Sequence, residues 1–428
     1  MTDISEKLEQ DKIDYIQFFF TNLTGEFKEV EFPATLWEEM VNGTGIDGSS
    51  LGLLDTEQSD LKIIPDINSY RVLPYNERIA GFICDICDNN EKPYSGCSRQ
   101  ILKRQLKKLE SDGYIFLIRP EFEWYFITND FKPADKGTYM DTPPKDELHH
   151  LRRSICDDLI KTRIPVKIIH HEVGPSQQEV ELIEKPALVQ SDNVQIAKML
   201  IKLRAYENDM IASFMPKPFA EEAGSGLHIH QYLVNDGKNI FSSGDNEFSE
   251  NLRFYIGGIQ KHVDAISAIL NPLINSYKRL IPSHEAPVFT SWGIGNRTAL
   301  IRVPGYERSA RIEYRAGDAG MNIYLGAAIL LAAGMEGIKQ KIEPNIPTSM
   351  NADLLSQAER DKFGIKKIPQ SLSKSLEALE KDKLILKVIG DKQVKKFLSI
   401  KYQELSDYEN ERKSEDQQNW ELKRYLNC

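Results

Sequence analysis

The chain runs to 428 residues, 41% of them hydrophobic and 28% charged, enough to bury a sizeable core in about two or three domains. A net charge of −10 argues against nucleic acid or an anionic membrane as a partner. An odd cysteine count of 5, an acidic N-terminus (M-T-D-I-S-E-K-L-E-Q) unlike a targeting peptide, and a longest apolar stretch, Leu325 to Met335, too short for a bilayer suggest a reducing cytoplasm and no membrane span.

Residues 1–94 read as a first domain of strands plus one helix. Tyr15–Phe20 is an apolar strand, Phe32–Met40 a helix, Gly43–Gly52 a Gly/Ser-rich loop, and Leu61–Pro65 and Ile79–Cys87 are further strands. Within that loop, Gly43-Thr-Gly45-Ile-Asp-Gly48 matches a dinucleotide fingerprint. A helix precedes it and a loop follows, where the fingerprint needs a strand before and a helix after. Cys84 and Cys87 form a C-x-x-C inside a strand-like run, with no second Cys or His pair at zinc spacing. A strong helix from Arg99 opens a second domain, residues 95–428, in which strands alternate with amphipathic helices to about residue 340 and charged helix follows.

Three segments carry charged groups two residues apart on a predicted strand, so that they share a face: Tyr114–Ile127 with Glu121 and Glu123, Gly224–Gln231 with His228 and His230, and Arg311-Ile-Glu313-Tyr-Arg315. A fourth, Ile168–Leu182, carries Glu172 and Glu179 across a Gly-Pro turn. One such pair alone reads as a solvated sheet face. Glu121 and Glu123, however, interrupt a nearly continuous apolar run, the mark of a strand buried on both faces. Burying carboxylates there costs several kcal/mol each unless cations pair with them. Glutamates with one or two imidazoles suit Mg²⁺ or Mn²⁺. Arg297, Arg302, Arg311 and Arg315 add guanidinium forks that fit phosphate and carboxylate, which together is equipment for phosphoryl transfer.

In order and spacing, these segments resemble glutamine synthetase of the bacterial and archaeal type I form. The resemblance is carried by I-D-G-S-S-L-G, Q-S-D-L-K-I-I-P-D, E-F-E, H-H-E-V with Q-Q-E-V, G-S-G-L-H-I-H, N-S-Y-K-R-L-I-P, E-A-P, N-R-T-A-L-I-R-V-P and R-I-E-Y-R. It implies an α+β fold: a small β-grasp-like N-terminal domain, then a catalytic domain with a curved antiparallel sheet flanked by helices. It also implies a dodecamer of two hexameric rings with active sites between subunits. Glutamate, ATP and ammonium would be the substrates, with two or three Mg²⁺ or Mn²⁺ per site. By position, Glu123, Glu172 and Glu179 would hold one metal, and Glu121, His228 and Glu313 another. His230, Arg297, Arg302 and Arg311 would face ATP, and Glu123, Gly224, Arg279 and Arg315 would bind glutamate. Asp47, Ser50, Tyr139 and Glu172 match the ammonium pocket. Glu285 matches a mobile-loop glutamate, so Asp47, Glu285 and Arg297 would be the catalytic set.

Some positions depart from the family. Ala223 stands where an asparagine helps hold glutamate, a loss on the order of 1 kcal/mol or more. His284 replaces a tyrosine, Tyr232 a small residue, and Ala316–Asn322 a Pro-rich segment. No tyrosine lies between Tyr324 and Tyr402, so control by adenylylation is expected to be absent, and Asp55 stands where one subgroup has a feedback arginine. Two alternatives follow: a γ-glutamyl-amine ligase of the same fold, acting on methylamine, a polyamine or another amine, and a catalytically silent metabolite-binding homologue. Asp47, Ser50 and Tyr139 favour ammonium, Ala223 favours the amine ligase, and the complete ligand set opposes silence.

Overall fold

A computed structural model of the chain describes residues 4–54, 56–244, 248–282, 286–305, 310–411 and 417–428. Its first sheet holds β1 (Tyr15–Thr21), β2 (Phe27–Pro33), β3 (Thr44–Asp47), β4 (Asp60–Pro65), β5 (Arg71–Leu73) and β6 (Asn76–Cys87), in the order β2-β1-β6-β4-β3 with β5 also on β6. The apolar run of β1 is central, paired in parallel with β6 and antiparallel with β2. β2, F-K-E-V-E-F-P, is a largely polar edge strand ending at a proline, as edges tolerate.

This part of the chain corrects two sequence expectations. The helix expected from Phe32 starts after Pro33, as a short turn at Ala34–Leu36 leading into Trp37–Met40. The expected loop at 43–52 contains β3, paired antiparallel with β4. Gly43 has φ +98, and a Cβ there would stand 2.5 Å from the Ile63 carbonyl oxygen, so this glycine serves strand pairing. Cys84 and Cys87 lie in β6 as free thiols whose pKa burial pushes up.

The second sheet holds β7 (Tyr114–Thr128), β8 (Val166–His171), β9 (Gln177–Leu182), β10 (Lys185–Pro186), β11 (Met210–Ser213), β12 (Leu227–Asn235), β13 (Lys238–Asn239), β14 (Trp292–Ile294), β15 (Ile301–Val303) and β16 (Ile312–Tyr314). Its main path is β14-β15-β16-β12-β7-β9-β8. Pairing is antiparallel except for β14 with β15, a parallel pair that an antiparallel sheet does not lead one to expect. β7 is the long central strand. On one face Phe122, Trp124 and Phe126 are buried and pack with one another and with Phe214. Residues of the other parity, Arg119, Glu121 and Glu123, take the opposite face. A slip of one residue would drive those charges into the aromatic core, so the register is strongly specified.

Arg99, in the first turn of the helix Ser98–Ser111, ties the N-terminal sheet to helices of the second part of the chain. Its buried guanidinium donates to Asp85 of β6 (2.8 Å), to Asp66 beyond β4 (2.7 Å) and to Asp192 of the helix Ala187–Tyr206 (2.9 Å). Tyr324 donates to Asp192 at 2.8 Å and so brings in the helix Ile323–Gln340. Arg99→Ala leaves three carboxylates without their shared cation and is expected to destabilise the fold by about 3–5 kcal/mol in chemical unfolding; a change within experimental error would contradict this.

A second clamp joins three helices. His262 Nδ1 lies 2.7 Å from Asp382 and Nε2 2.6 Å from Glu336. Burial pushes the imidazole pKa down, but the two carboxylates outweigh it and raise it; both carboxylate pKa values are lowered in turn. A raised histidine stabilises below its unfolded pKa and loses that contribution as pH rises through the folded pKa. The lowered carboxyls lose theirs as pH falls through their folded values. The unfolding midpoint of the wild type should therefore exceed that of His262→Gln most in mildly acidic buffer, and the gap should shrink on either side. A pH-independent gap would refute the clamp.

Candidate active site

The charged face of β7 is completed by its neighbours. Register places His228 opposite Glu121 across β12, and Glu179 opposite Glu123 across β9. His228 Nδ1 lies 2.9 Å from Glu121 Oε1, and His230 Nε2 lies 3.4 Å from Glu121 Oε2. Burial raises the Glu121 carboxyl, but the two imidazoles outweigh it and hold it well below the usual range. Glu313 of β16 is buried and receives Arg302 at 2.7 Å and Arg315 on its other oxygen. Burial raises its pKa too, yet His230 and Arg315 pull it to about 2. Arg311 Nε donates to His230 Nδ1 at 3.3 Å.

The far end of the sheet behaves oppositely. His170 of β8 faces Glu179, with Nε2 3.0 Å from Oε1. Burial, then the charges of Glu121, Glu123, Glu172 and Glu181, push the Glu179 carboxyl well above its ordinary range. The acids therefore outnumber the cations available to them on this side.

Three sets of side chains bring one donor atom each within 4.8 Å of the others: Glu121, His228 and Glu313; Glu121, Glu181 and His230; and His170, Glu172 and Glu179. Each is rich in carboxylate oxygen with one imidazole, a donor chemistry that fits Mg²⁺ or Mn²⁺ better than a thiolate metal. The excess of buried negative charge around Glu179 independently calls for a cation. Of the residues expected to hold metal, Glu121, His228 and Glu313 meet in one set, and Glu172 and Glu179 in another. Glu123 lies beside the latter, accepting the Gly226 N–H (2.9 Å) and the Gln177 amide (3.0 Å).

A cavity of about 300 Å³ adjoins this cluster, lined by Glu123, Glu172, Glu221, Glu222, Ala223, Gly224, His228, Arg279 and Arg315 among others. Arg279 is buried and donates to the carbonyls of Ala316 (3.0 Å) and Arg315 (3.2 Å). The G-S-G turn lets the backbone come this close: a Cβ on Gly226 would stand 2.7 Å from Arg279 Nη2 and 2.8 Å from His228 Nε2. Two guanidiniums facing carboxylates across a small cavity suit a zwitterionic amino acid carrying a second carboxylate.

The other expected residues are more dispersed. Tyr139 sits on a loop with 48% of its surface exposed, its ring edge-on to His170 at 5.4 Å and thus beside Glu172. Arg297 is exposed in the turn between β14 and β15. Asp47 ends β3 and is exposed. Ser50 donates to it at 2.6 Å and Ser49 through both its hydroxyl (2.7 Å) and its N–H (2.9 Å), which holds its carboxyl far below the usual range. Among the described residues, none that lines the cavity comes from the N-terminal sheet. Glu285, His284 and Asp55 lie outside the described residues. Sequence reasoning missed His170, Glu181, Arg119 and Gln177. The same alternation that flagged Glu121 and Glu179 reaches Arg119, Gln177 and Glu181, and Arg119 pairs with Glu181 at 2.6 Å.

Comparison with known proteins agrees along the whole chain. The family described as glutamine synthetase, beta-Grasp domain, matches residues 12–89, and glutamine synthetase, catalytic domain, matches residues 95–425. Curated relatives include a glutamine synthetase of Thermotoga maritima, 38% identical over 99% of this chain and 98% of its own length. Another, from Pyrococcus furiosus, is 39% identical over 97% of each. Among solved structures, GmaS without ligand superposes with a TM-score of 0.89 at 27% identity over 100% of both chains. Plasmodium falciparum glutamine synthetase superposes with 0.85 at 25% identity over 96% of this chain and 97% of that one. A β-grasp sheet followed by a curled, acid-lined catalytic sheet defines an ATP-dependent carboxylate–amine ligase. The chain belongs to the glutamine synthetase family.

Gly226→Ala should leave the fold intact while displacing Arg279 and His228, lowering kcat/KM for the amino-acid substrate by about a hundredfold. Unchanged kinetics would show that the cavity beside this turn is not the reacting site.

Proposed function

We propose that the chain ligates ammonia to the γ-carboxylate of L-glutamate, driven by ATP, through γ-glutamyl phosphate. The observation that carries this reading is the cavity itself, with Arg279 and Arg315 on one wall and the buried glutamates and imidazoles of β7, β9 and β12 beside it. Residues 1–94 act as a β-grasp domain and 95–428 as the catalytic domain. Arg279 and Arg315 hold the carboxylates of glutamate, with Glu123 and the Gly224 backbone near its ammonium. His230, Arg297, Arg302 and Arg311 face the nucleotide phosphates, a reading supported by the related GmaS structure in complex with ADP.

The γ-carboxylate oxygen forms a bond to the γ-phosphorus as the bond to the ADP oxygen breaks in line. Two or three Mg²⁺ or Mn²⁺ ions, held by Glu121, His228 and Glu313 and by Glu123, Glu172 and Glu179, would neutralise the phosphate charge. Ammonium is bound as a cation by Glu172 and Tyr139 together with Asp47 and Ser50, and it gives up a proton to Asp47. Its nitrogen then attacks the acyl carbon, the bond from that carbon to the phosphate oxygen breaks, and the departing phosphate takes up the second proton that the nitrogen loses. Glu285 is the residue that would exclude water from the intermediate, which water would hydrolyse. Asp47, at the end of the outer strand of the N-terminal sheet, and Ser50, in the turn that follows, are exposed and are not among the residues lining their own chain's cavity. That arrangement supports completion of each site by a neighbouring copy, as in a dodecamer of two hexameric rings in the cytoplasm.

Ala223 favours a second reading, a γ-glutamyl-amine ligase, because its methyl group offers substrate no hydrogen bond. Turnover of ATP and glutamate measured with ammonium and with a panel of amines separates the two. Saturable use of ammonium is expected; turnover with an amine and none with ammonium would overturn the first reading. Ala223→Asn should lower KM for glutamate about fivefold, the worth of one restored hydrogen bond. Glu313→Ala should lower kcat by about a hundredfold or more, and full activity in that variant would leave the site non-catalytic.

A further inference from the structure

Behind the wall that carries Tyr139 and Glu172 lies a charged pair that the reaction above does not use. The side chains of Asp135 and His171 are both 0% exposed. His171 Nε2 lies 3.0 Å from Asp135 Oδ1, and Nδ1 lies 2.7 Å from the carbonyl oxygen of Glu172. Each ring nitrogen thus faces an oxygen acceptor, and the ring is held between Asp135 and the Glu172 backbone. The same Asp135 oxygen accepts the backbone N–H of Ser176 (2.8 Å) and of Gly137 (3.2 Å).

One carboxylate oxygen thus joins the loop that carries Tyr139, the end of β8 just before Glu172, and the turn before Gln177. The loop is laced to β8 by the Met140 N–H on the His171 carbonyl (3.0 Å) and by the Thr138 hydroxyl on the Val173 carbonyl (3.0 Å). It passes so close that a Cβ on Gly137 would stand 2.6 Å from His171 Nε2. On the far side of this knot, Tyr139 rests edge-on against His170, and Gln177 donates to Glu123. A buried ion pair is a poor source of stability compared with apolar packing, but its directional bonds fix the segments that meet there.

We propose that Asp135 and His171 are positioning residues that set the width of the amine-binding wall formed by Tyr139, His170 and Glu172, and with it the preference for ammonium over alkylated amines. This rests on the reading of Tyr139 and Glu172 as that wall. Asp135→Asn removes the charge, and His171→Gln keeps a donor toward Asp135 but loses the one to Glu172. Gly137→Ala changes no charge and forces the loop off the ring, so it remains informative if a charge variant fails to fold.

Steady-state kinetics with ammonium and with methylamine are compared in the wild type and the three variants. We expect KM for ammonium to rise about tenfold and the methylamine-to-ammonium ratio of kcat/KM to rise about tenfold, with KM for ATP and glutamate within about twofold of wild type. Folded variants that lose kcat alone, with KM for ammonium and the ratio unchanged, would overturn the proposal and leave the pair a structural one. A wild-type enzyme with no glutamate-dependent turnover on either nucleophile would overturn the parent reading first, and this one with it.

Discussion

The structure depends on holding several carboxylates inside a protein, on one face of a strand whose other face is aromatic core. β7 fixes them there because Phe122, Trp124 and Phe126 fill the opposite side and admit no other register. The carboxylates cannot retreat to water, so the surrounding strands must supply cations. Arg302 and Arg315 do so at Glu313, and the imidazoles of His228 and His230 hydrogen-bond Glu121; both carboxyl pKa values fall. Around Glu179 the acids outnumber their partners, and its pKa rises. The contrast between these neighbours within one sheet is the electrostatic reason to read the cluster as a place for divalent ions.

The same constraint shapes the cavity. With acids on its floor, a small substrate bearing both charges is drawn to a site where Arg279 and Arg315 oppose Glu123 and Glu172. The G-S-G turn is tied to the acids directly, through the Gly226 N–H on Glu123. Helices brace the sheet from outside, and Arg99 links two of them to the N-terminal sheet through Asp192, Asp85 and Asp66. The N-terminal sheet therefore sits in a fixed place on its own catalytic domain while presenting Asp47 outward.

Much of this was legible in the sequence because strand alternation is a rule about faces. Glu121 with Glu123 and His228 with His230 could be assigned to one side before any strand was paired. The rule extended further than it was applied: Arg119, Gln177 and Glu181 obey the same parity, and His170 stands directly opposite Glu179. What alternation could not reach was pairing, which is non-local. Nothing in W-G-I or I-R-V announces that β14 and β15 run parallel. The N-terminal corrections have another cause. β3 is an edge strand of four residues, too short to show an apolar period, and Gly43 and Gly48 look like a loop although each serves a close approach to the backbone at or just before β4. Asp135 carried no signal at all, since its partners come from a loop, a strand end and a turn.

The buried acids offer metal positions on different strands, Glu121 with His228 and Glu313 on β7, β12 and β16, and Glu179 with His170 and Glu172 on β9 and at the end of β8. Counting bound Mn²⁺ by electron paramagnetic resonance tests this assignment most directly. The wild type should bind at least two ions per chain, with one lost in Glu313→Ala and a different one lost in Glu179→Ala. Mn²⁺ binding that is absent from the wild type, or untouched by either substitution, would contradict the account.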